Sequence, residues 1–180
     1  MKMINKSNGI IASDSVIRIQ AMDTSMFYDV WRNSLDENNR RFVPDEVFET
    51  LEEASEVVEQ IIKFYDSETG PFIYALMRQE DNANMGYVQL IKIEDGWEIG
   101  YHIAKIYTCK GYATRAVNLF LDYIKKETKL NEVLGIVLSD NHASIKVLEK
   151  TGFELKFDGI GVYQGKKRKI RKYIKCLTFN

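Results

Sequence analysis

Ile103-Ala104-Lys105-Ile106-Tyr107-Thr108-Cys109-Lys110-Gly111-Tyr112-Ala113-Thr114 is the stretch whose reading decides the fold, because the periodicity of the chain changes across it. Before it, Trp97 to Ile103 alternates apolar with small or polar residues, the pattern of a half-buried strand. After it, Ala113, Ala116, Val117, Phe120, Leu121 and Ile124 recur at helical spacing on one amphipathic face. The first N–H groups of a helix lack intrahelical partners and lie at the positive end of its dipole. A strand that enters a helix through a glycine-containing turn is therefore suited to hold an anion, most often a phosphate. An ordinary strand-to-helix turn has the same local pattern.

Working outward, Val16 to Gln20 reads as a first strand, after a loose lead-in over residues 1–13. Asp23 or Thr24 caps a short helix to about Asn33. The polar segment Ser34 to Pro44 has no apolar face to bury and reads as a loop. Asp45 to about Tyr65 reads as mostly helical, with an inward stripe of Ala54, Val57, Val58, Ile61, Ile62 and Tyr65 and a capping box at Thr50 and Glu53. Strands follow at Phe72–Met77, Gly86–Ile93 and Trp97–Ile103, joined by short turns as an antiparallel meander. A helix over about Lys110–Thr128 leads to a central strand, Glu132–Leu138, then to a helix from about Asn141 to Lys150 stopped at Gly152. A hairpin of two strands, about Phe153–Tyr163 and Arg168–Leu177, closes the chain. The expected class is α+β: a mixed, mostly antiparallel sheet of about 6–7 strands flanked by about 4 helices. The unit from 97 to 138 is a right-handed crossover between parallel strands.

The 180 residues suit one domain over 1–180, with 45% hydrophobic and 28% charged residues. A net charge of -1 argues against global attraction to nucleic acid or anionic lipid. No apolar run approaches a membrane span, and Met1 to Ile11 lacks the apolar region of a signal peptide. Cys109 and Cys176 fit no metal spacing, and a cytoplasmic, reduced location is the expectation.

Three motifs resemble the GNAT superfamily of acetyl-CoA-dependent N-acetyltransferases. Trp97-Glu98-Ile99-Gly100-Tyr101-His102-Ile103 is similar to the family's E-I-G-Y strand. Lys110-Gly111-Tyr112-Ala113-Thr114-Arg115-Ala116 is similar to the end of its pyrophosphate loop. Asn141-His142-Ala143-Ser144 with Glu149-Lys150-Thr151-Gly152-Phe153 matches its N-x-x-S…E-K-x-G-F pattern. Within the superfamily the chain most resembles the RimJ and RimL branch of ribosomal-protein alanine acetyltransferases. The resemblance implies a GNAT fold, acetyl-CoA as co-substrate and no metal. It also departs from the family: Thr108 and Cys109 stand where the loop usually has Gln, Arg or Trp followed by Gly. The position of a tyrosine that many relatives use as an acid holds Leu148, a lack shared by the RimJ and RimL branch.

Acetyl transfer needs a neutral amine, a donor for the developing oxyanion, and a proton or hydrogen bond for the leaving thiolate. Glu98 is the candidate base, directly or through a water, on one strand face with Gly100 and His102, where Gly100 leaves room for a ligand. His102 is the alternative base. The resemblance implies that Ile103 and Ala104 pair with the pantetheine arm. It implies that Thr108, Cys109, Lys110, Gly111, Tyr112, Ala113, Thr114 and Arg115 hold the pyrophosphate. It further implies that Asn141 meets the cofactor, besides capping its helix, and that Ser144 protonates the thiolate. Nothing near Cys109 in sequence would activate it as a nucleophile, so direct attack without an acyl-enzyme is expected.

The acceptor is a primary amine, on a protein N-terminus or a small molecule, with Trp31, Asn33, Phe42 and His102 as candidate contacts. The basic run Lys166 to Lys172 suits either an edge hairpin guarded by lysines against aggregation or a contact with RNA or a ribosome. A catalytically weak acyl-CoA-binding module and an RNA- or ribosome-associated protein are the alternative readings. A homodimer is compatible with the sequence, and a membrane partner is not expected.

Overall fold

The computed structural model describes residues 9–177. Its sheet has eight strands: β1 (Ile10–Ser13), β2 (Ile17–Ala21), β3 (Phe72–Arg78), β4 (Asn84–Ile93), β5 (Gly96–Ile103), β6 (Glu132–Leu138), β7 (Glu154–Tyr163) and β8 (Lys166–Cys176). They lie in the order β1-β2-β3-β4-β5-β6-β8-β7. Every neighbouring pair is antiparallel except β5 with β6. The helices are α1 (Phe27–Ser34), α2 (Glu37–Phe42), α3 (Leu51–Phe64), α4 (Tyr112–Glu127) and α5 (His142–Lys150), with 3-10 turns at Thr24–Met26, Pro44–Glu46 and Lys105–Tyr107.

Residues directly opposite in an antiparallel pair share a face, so Tyr74, Val88 and Tyr101 point one way and Tyr87 and His102 the other. The first face packs against α4, where Tyr74 meets Phe120 and Tyr123 edge-on at 5.7 and 6.3 Å between ring centres. Phe72, Tyr74, Leu76, Phe120 and Ile124 are fully buried there. Burial of such side chains contributes about 1.5–3 kcal/mol each before entropy is counted. The second face lies on the side of α1 and α3, and α3 closes on it through Ala54, Val58 and Ile61.

Three expectations are corrected. Ile10–Ser13 is not lead-in but an edge strand on β2, while residues 1–8 lie outside the described residues. Glu37–Phe42 is helical, not loop, because its buried side is polar: Asn39 donates through Nδ2 to the Ser34 carbonyl at 3.3 Å. The long helix expected from Asp45 starts only at Leu51. Thr50 Oγ1 caps it by accepting from Glu53 N at 3.2 Å, and Glu53 Oε2 accepts from Glu49 N at 2.8 Å, so the residues before Thr50 run extended into the cap. The closing hairpin lies at the edge of the sheet, with the basic run on β8 between β6 and the outer strand β7.

Near the start of β4, one extra residue, Met85, bulges between Asn84 and Gly86. Asn84 Oδ1 accepts from Gly86 N at 3.0 Å, and Met85 O accepts from Ala104 N at 2.8 Å, so the bulge fixes the end of β5. Gly86 has φ +142°, and a β-carbon there would sit 2.0 Å from the His102 carbonyl oxygen. Backbone on both sides leaves nothing free to give way. Gly86→Ala is expected to destabilise the fold by more than about 3 kcal/mol or prevent folding. Gly165→Ala, at a turn with open space around it, is the control, with a cost near 1 kcal/mol from its positive φ alone. Urea denaturation of the two variants measures the difference.

Candidate active site

The single parallel ladder in the sheet is also its weakest. Among the described residues β5 and β6 are joined at one position, Glu98 opposite Leu134. Beyond Glu98 the two strands part, and Ile99 to Ile103 have no ladder partner on the β6 side. Backbone donors and acceptors inside a protein need partners, so an open wedge of this kind is a ready place for an extended ligand to pair as a strand would. A cleft of about 1450 Å³ occupies it.

Glu98 sits at the point of the wedge. Its carboxylate accepts a hydrogen bond from the Ile136 N–H of β6, at the position where the ladder stops. Burial pushes its carboxyl up to about 7, the Glu46 carboxylate pushes the same way, and Lys172 and the Ile136 N–H oppose them. A carboxylate with that affinity for protons is suited to take one from an amine near neutral pH. His102, two residues on, is driven down to about 4 by burial, which outweighs the Asp36 carboxylate 3.9 Å from its Nε2. It is neutral at pH 7 and packs beside Tyr87 at 5.7 Å between ring centres.

The space expected beside Gly100 is filled. Gln89, opposite it on β4, lies across the glycine so closely that a β-carbon would meet its Nε2 at 2.6 Å. That amide reaches on to donate to Glu46 Oε1 at 3.3 Å. Glu46 thereby joins the cleft from the 3-10 turn Pro44–Glu46, with burial raising its carboxyl to about 7 as well. The sequence hides this residue, because a glutamate in a stretch that continues into a helix looks like one more solvated helix position. Pro44, which favours the first turn of a helix, was the available sign of a separate turn there.

From the opposite sheet face, Tyr101 meets the first turn of α5. Ser144 Oγ donates to the Tyr101 hydroxyl at 3.1 Å, and that hydroxyl donates to the Ser144 carbonyl at 3.0 Å. Asn141 caps the helix by accepting from Ser144 N at 3.2 Å, which holds the serine at the cleft wall. Tyr101 is a second site residue that sequence reading missed, since its partner lies 43 residues away.

The third wall is the turn into α4. Gly111 has φ +81° and precedes the helix, and Cys109 has φ +61°, a left-handed conformation that costs a non-glycine residue of order 1 kcal/mol. The usual glycine of relatives fits that backbone without the cost, and the exposed cysteine adopts it here. Thr108, Cys109, Gly111, Tyr112, Ala113 and Thr114 line the cleft, as do Ile103, Asn141, Ser144, His102, Glu98 and Phe42.

Five expected residues do not line it. Ala104 is buried just past β5. Lys110 is exposed, with Nζ donating to the Ile106 carbonyl at 3.3 Å. Arg115 pairs with Asp14 across α4. Asn33 is buried and donates to the Asn84 carbonyl at 3.1 Å, and the buried Trp31 Nε1 has no hydrogen-bond partner among the described residues.

Residues 17–154 match the family model for the acetyltransferase (GNAT) domain. The chain belongs to the GNAT acetyltransferase family. It is 31% identical over 125 residues to the uncharacterized N-acetyltransferase YnaD of Bacillus subtilis, covering 68% of this chain and 70% of that one. It is 36% identical over 84 residues to the probable N-acetyltransferase YjcK of the same organism, a match spanning 44% of this chain and 46% of that protein. Among solved structures, RimL, a ribosomal-protein alpha-N-acetyltransferase in complex with coenzyme A, superposes with a TM-score of 0.79. The sequences are 18% identical, with 93% of this chain and 97% of that chain covered. No described helix of this GNAT protein is long and apolar enough to cross a membrane.

A carboxyl that folding raises binds protons more tightly in the native state, so its contribution to stability is present below about pH 4.5 and is lost as pH climbs through about 7. Glu98→Gln removes that loss. The variant is expected to be more stable than the parent at pH 8, by about 1–2 kcal/mol after solvent screening, and equal to it at pH 4.5. Thermal unfolding at the two pH values checks this.

Proposed function

We propose that the protein transfers an acetyl group from acetyl-CoA to a primary amine by direct attack in the β5–β6 wedge. The observation that carries the reading is the wedge itself: one parallel pair at Glu98, a base at its point, hydroxyls on one wall and a left-handed turn into a helix at its mouth. The pantetheine arm lies along Ile99 to Ile103 as a missing strand. The pyrophosphate meets the backbone N–H groups from Thr108 to Thr114 at the positive end of α4. Lys110 is near enough in sequence to add charge at that mouth, while Arg115 is held by Asp14.

The amine arrives as its ammonium ion, because a free alkylamine has a pKa near 10. Glu98 takes one proton, directly or through a water, and the nitrogen lone pair forms the new C–N bond to the thioester carbonyl. The C–S bond then breaks. A thiol's pKa is about 8.5, so the departing sulfur needs little more than a hydrogen bond near neutral pH. Ser144 supplies it by turning its O–H from the Tyr101 hydroxyl to the sulfur, while Tyr101, bonded to the Ser144 carbonyl, holds the serine in place. The second nitrogen proton leaves as the amide forms, and one proton in total ends on CoA and one in solvent.

The acceptor is a protein N-terminus or a small amine. Phe42 and His102 lie on its side of the cleft, whereas the positions of Trp31 and Asn33 give them a supporting role behind the wall. Acetyl transfer with kcat/KM rising as pH passes through about 7 is the expected profile, since Glu98 acts only when ionised. A thiol-release assay with spermidine, benzylamine and an alanyl tripeptide amide, with calorimetry of CoA binding alongside, tests the reading. Neither CoA binding nor thiol release with any of them would refute it. Ser144→Ala and Tyr101→Phe are each expected to lower kcat by roughly 10–100-fold at unchanged CoA affinity, and the double variant by little more than either alone.

A further inference from the structure

Glu46 is in an unusual position for a carboxylate. The residue is partly exposed, but Oε2 is sealed from solvent and has no hydrogen-bond partner among the described residues. Oε1 has one, the Gln89 amide at 3.3 Å. That amide reaches it because Gly100 offers no side chain in the way. Leaving a buried acceptor unmatched costs about 1–3 kcal/mol, more for a charged group. Glu46 lines the cleft, and a turn of its carboxyl that brings the orphan oxygen to the cleft would relieve this cost when a donor binds there.

The groups around it narrow the partner's chemistry. Glu98 of β5 faces it electrostatically, and Asp45 lies beside it on its own turn. The Tyr163 hydroxyl of β7 feels Glu98, Glu46 and Asp45 together. Against these, Lys172 of β8 acts on Glu98, and His102 on the same sheet face as Glu98 is neutral. The balance is negative, and a cation with several N–H donors satisfies it. An ammonium ion carries one charge and three donors.

We propose that Glu46 is the second half of the acceptor site, its carboxyl turning Oε2 out to the cleft it lines to hold the ammonium group of the incoming amine against Glu98, so that the two carboxylates together bind the cation and take up its first proton. This rests on the acetyl-transfer reading above and adds to it a residue that binds the substrate. The amine enters as R–NH3+. One N–H proton moves to the carboxylate pair, the freed lone pair forms the C–N bond, the C–S bond breaks, and the thiolate leaves toward Ser144 and ends as the thiol with the second nitrogen proton as the amide forms. The pair then returns its proton to solvent. The site favours compact primary ammonium groups over quaternary ones, which have no N–H to give.

Glu46→Gln is the test, read against the parent with spermidine, benzylamine and the alanyl tripeptide amide. KM for the accepted amine is expected to rise at least 10-fold at pH 7 with CoA affinity unchanged. Loss of the neighbouring negative charge lowers the affinity of Glu98 for its proton, so the acid limb of kcat/KM moves to lower pH. Carbon-detected NMR titration of the Glu98 carboxyl in the ligand-free proteins shows the same downward move. Glu52→Gln, on the exposed side of α3, leaves the amine KM within about 2-fold. Should Glu46→Gln lose CoA affinity, Gln89→Leu carries the test instead, since it keeps both carboxylates and removes the amide that orients one. An unchanged amine KM together with an unchanged acid limb overturns the inference and leaves acetyl transfer standing. A parent protein that neither binds CoA nor releases thiol overturns both.

Discussion

The structure depends on the parting of β5 and β6 after a single pair. An antiparallel meander from β1 to β5 and a second block, β6-β8-β7, are each fully laddered, and they meet at Glu98 opposite Leu134. Two complete ladders would have buried this junction and left no cleft. One pair is enough to fix where the strands meet, and their divergence beyond it exposes backbone that a ligand can use. The bulge at Met85 and its bond to Ala104 N hold β5 from the other side, so the open strand is a rigid wall.

The wedge also explains how groups from opposite faces of one sheet come to line one cleft. Glu98 and Gln89 belong to the face of α1 and α3, and Tyr101 to the face of α4. Alternation along a strand normally keeps such neighbours apart. Where the sheet is open, both faces reach the gap, and a base and a hydroxyl pair flank the same space. In the proposed reaction, proton uptake from the amine and hydrogen bonding to the departing sulfur then fall on opposite faces of the sheet.

The fold was legible from the sequence wherever local pattern and tertiary role agree. Strand β6 has the expected bounds, and α4 and α5 fall within two residues of theirs, because an apolar run or an amphipathic stripe with a cap says where each must go. Helix α2 was hidden because it buries Asn39 and no apolar stripe. The pieces of the site that were hidden are the pairings between distant segments. Nothing local distinguishes Glu46 from its many acidic neighbours, and its role comes from Gln89 reaching it over Gly100. Tyr101 entered only as part of the strand motif, and its partner Ser144 comes from α5, far along the chain. Gly100 was read as leaving room for a ligand, but the Gln89 side chain takes that room.

The central claim is that the unladdered edge of β5 is where the CoA arm pairs. Amide hydrogen exchange followed residue by residue with and without CoA tests it most directly. The account predicts slowed exchange within residues 99–103 and across the turn 108–114, with β1 to β3 unchanged. Unaltered exchange in both segments, or protection confined to the β7–β8 hairpin, would contradict it.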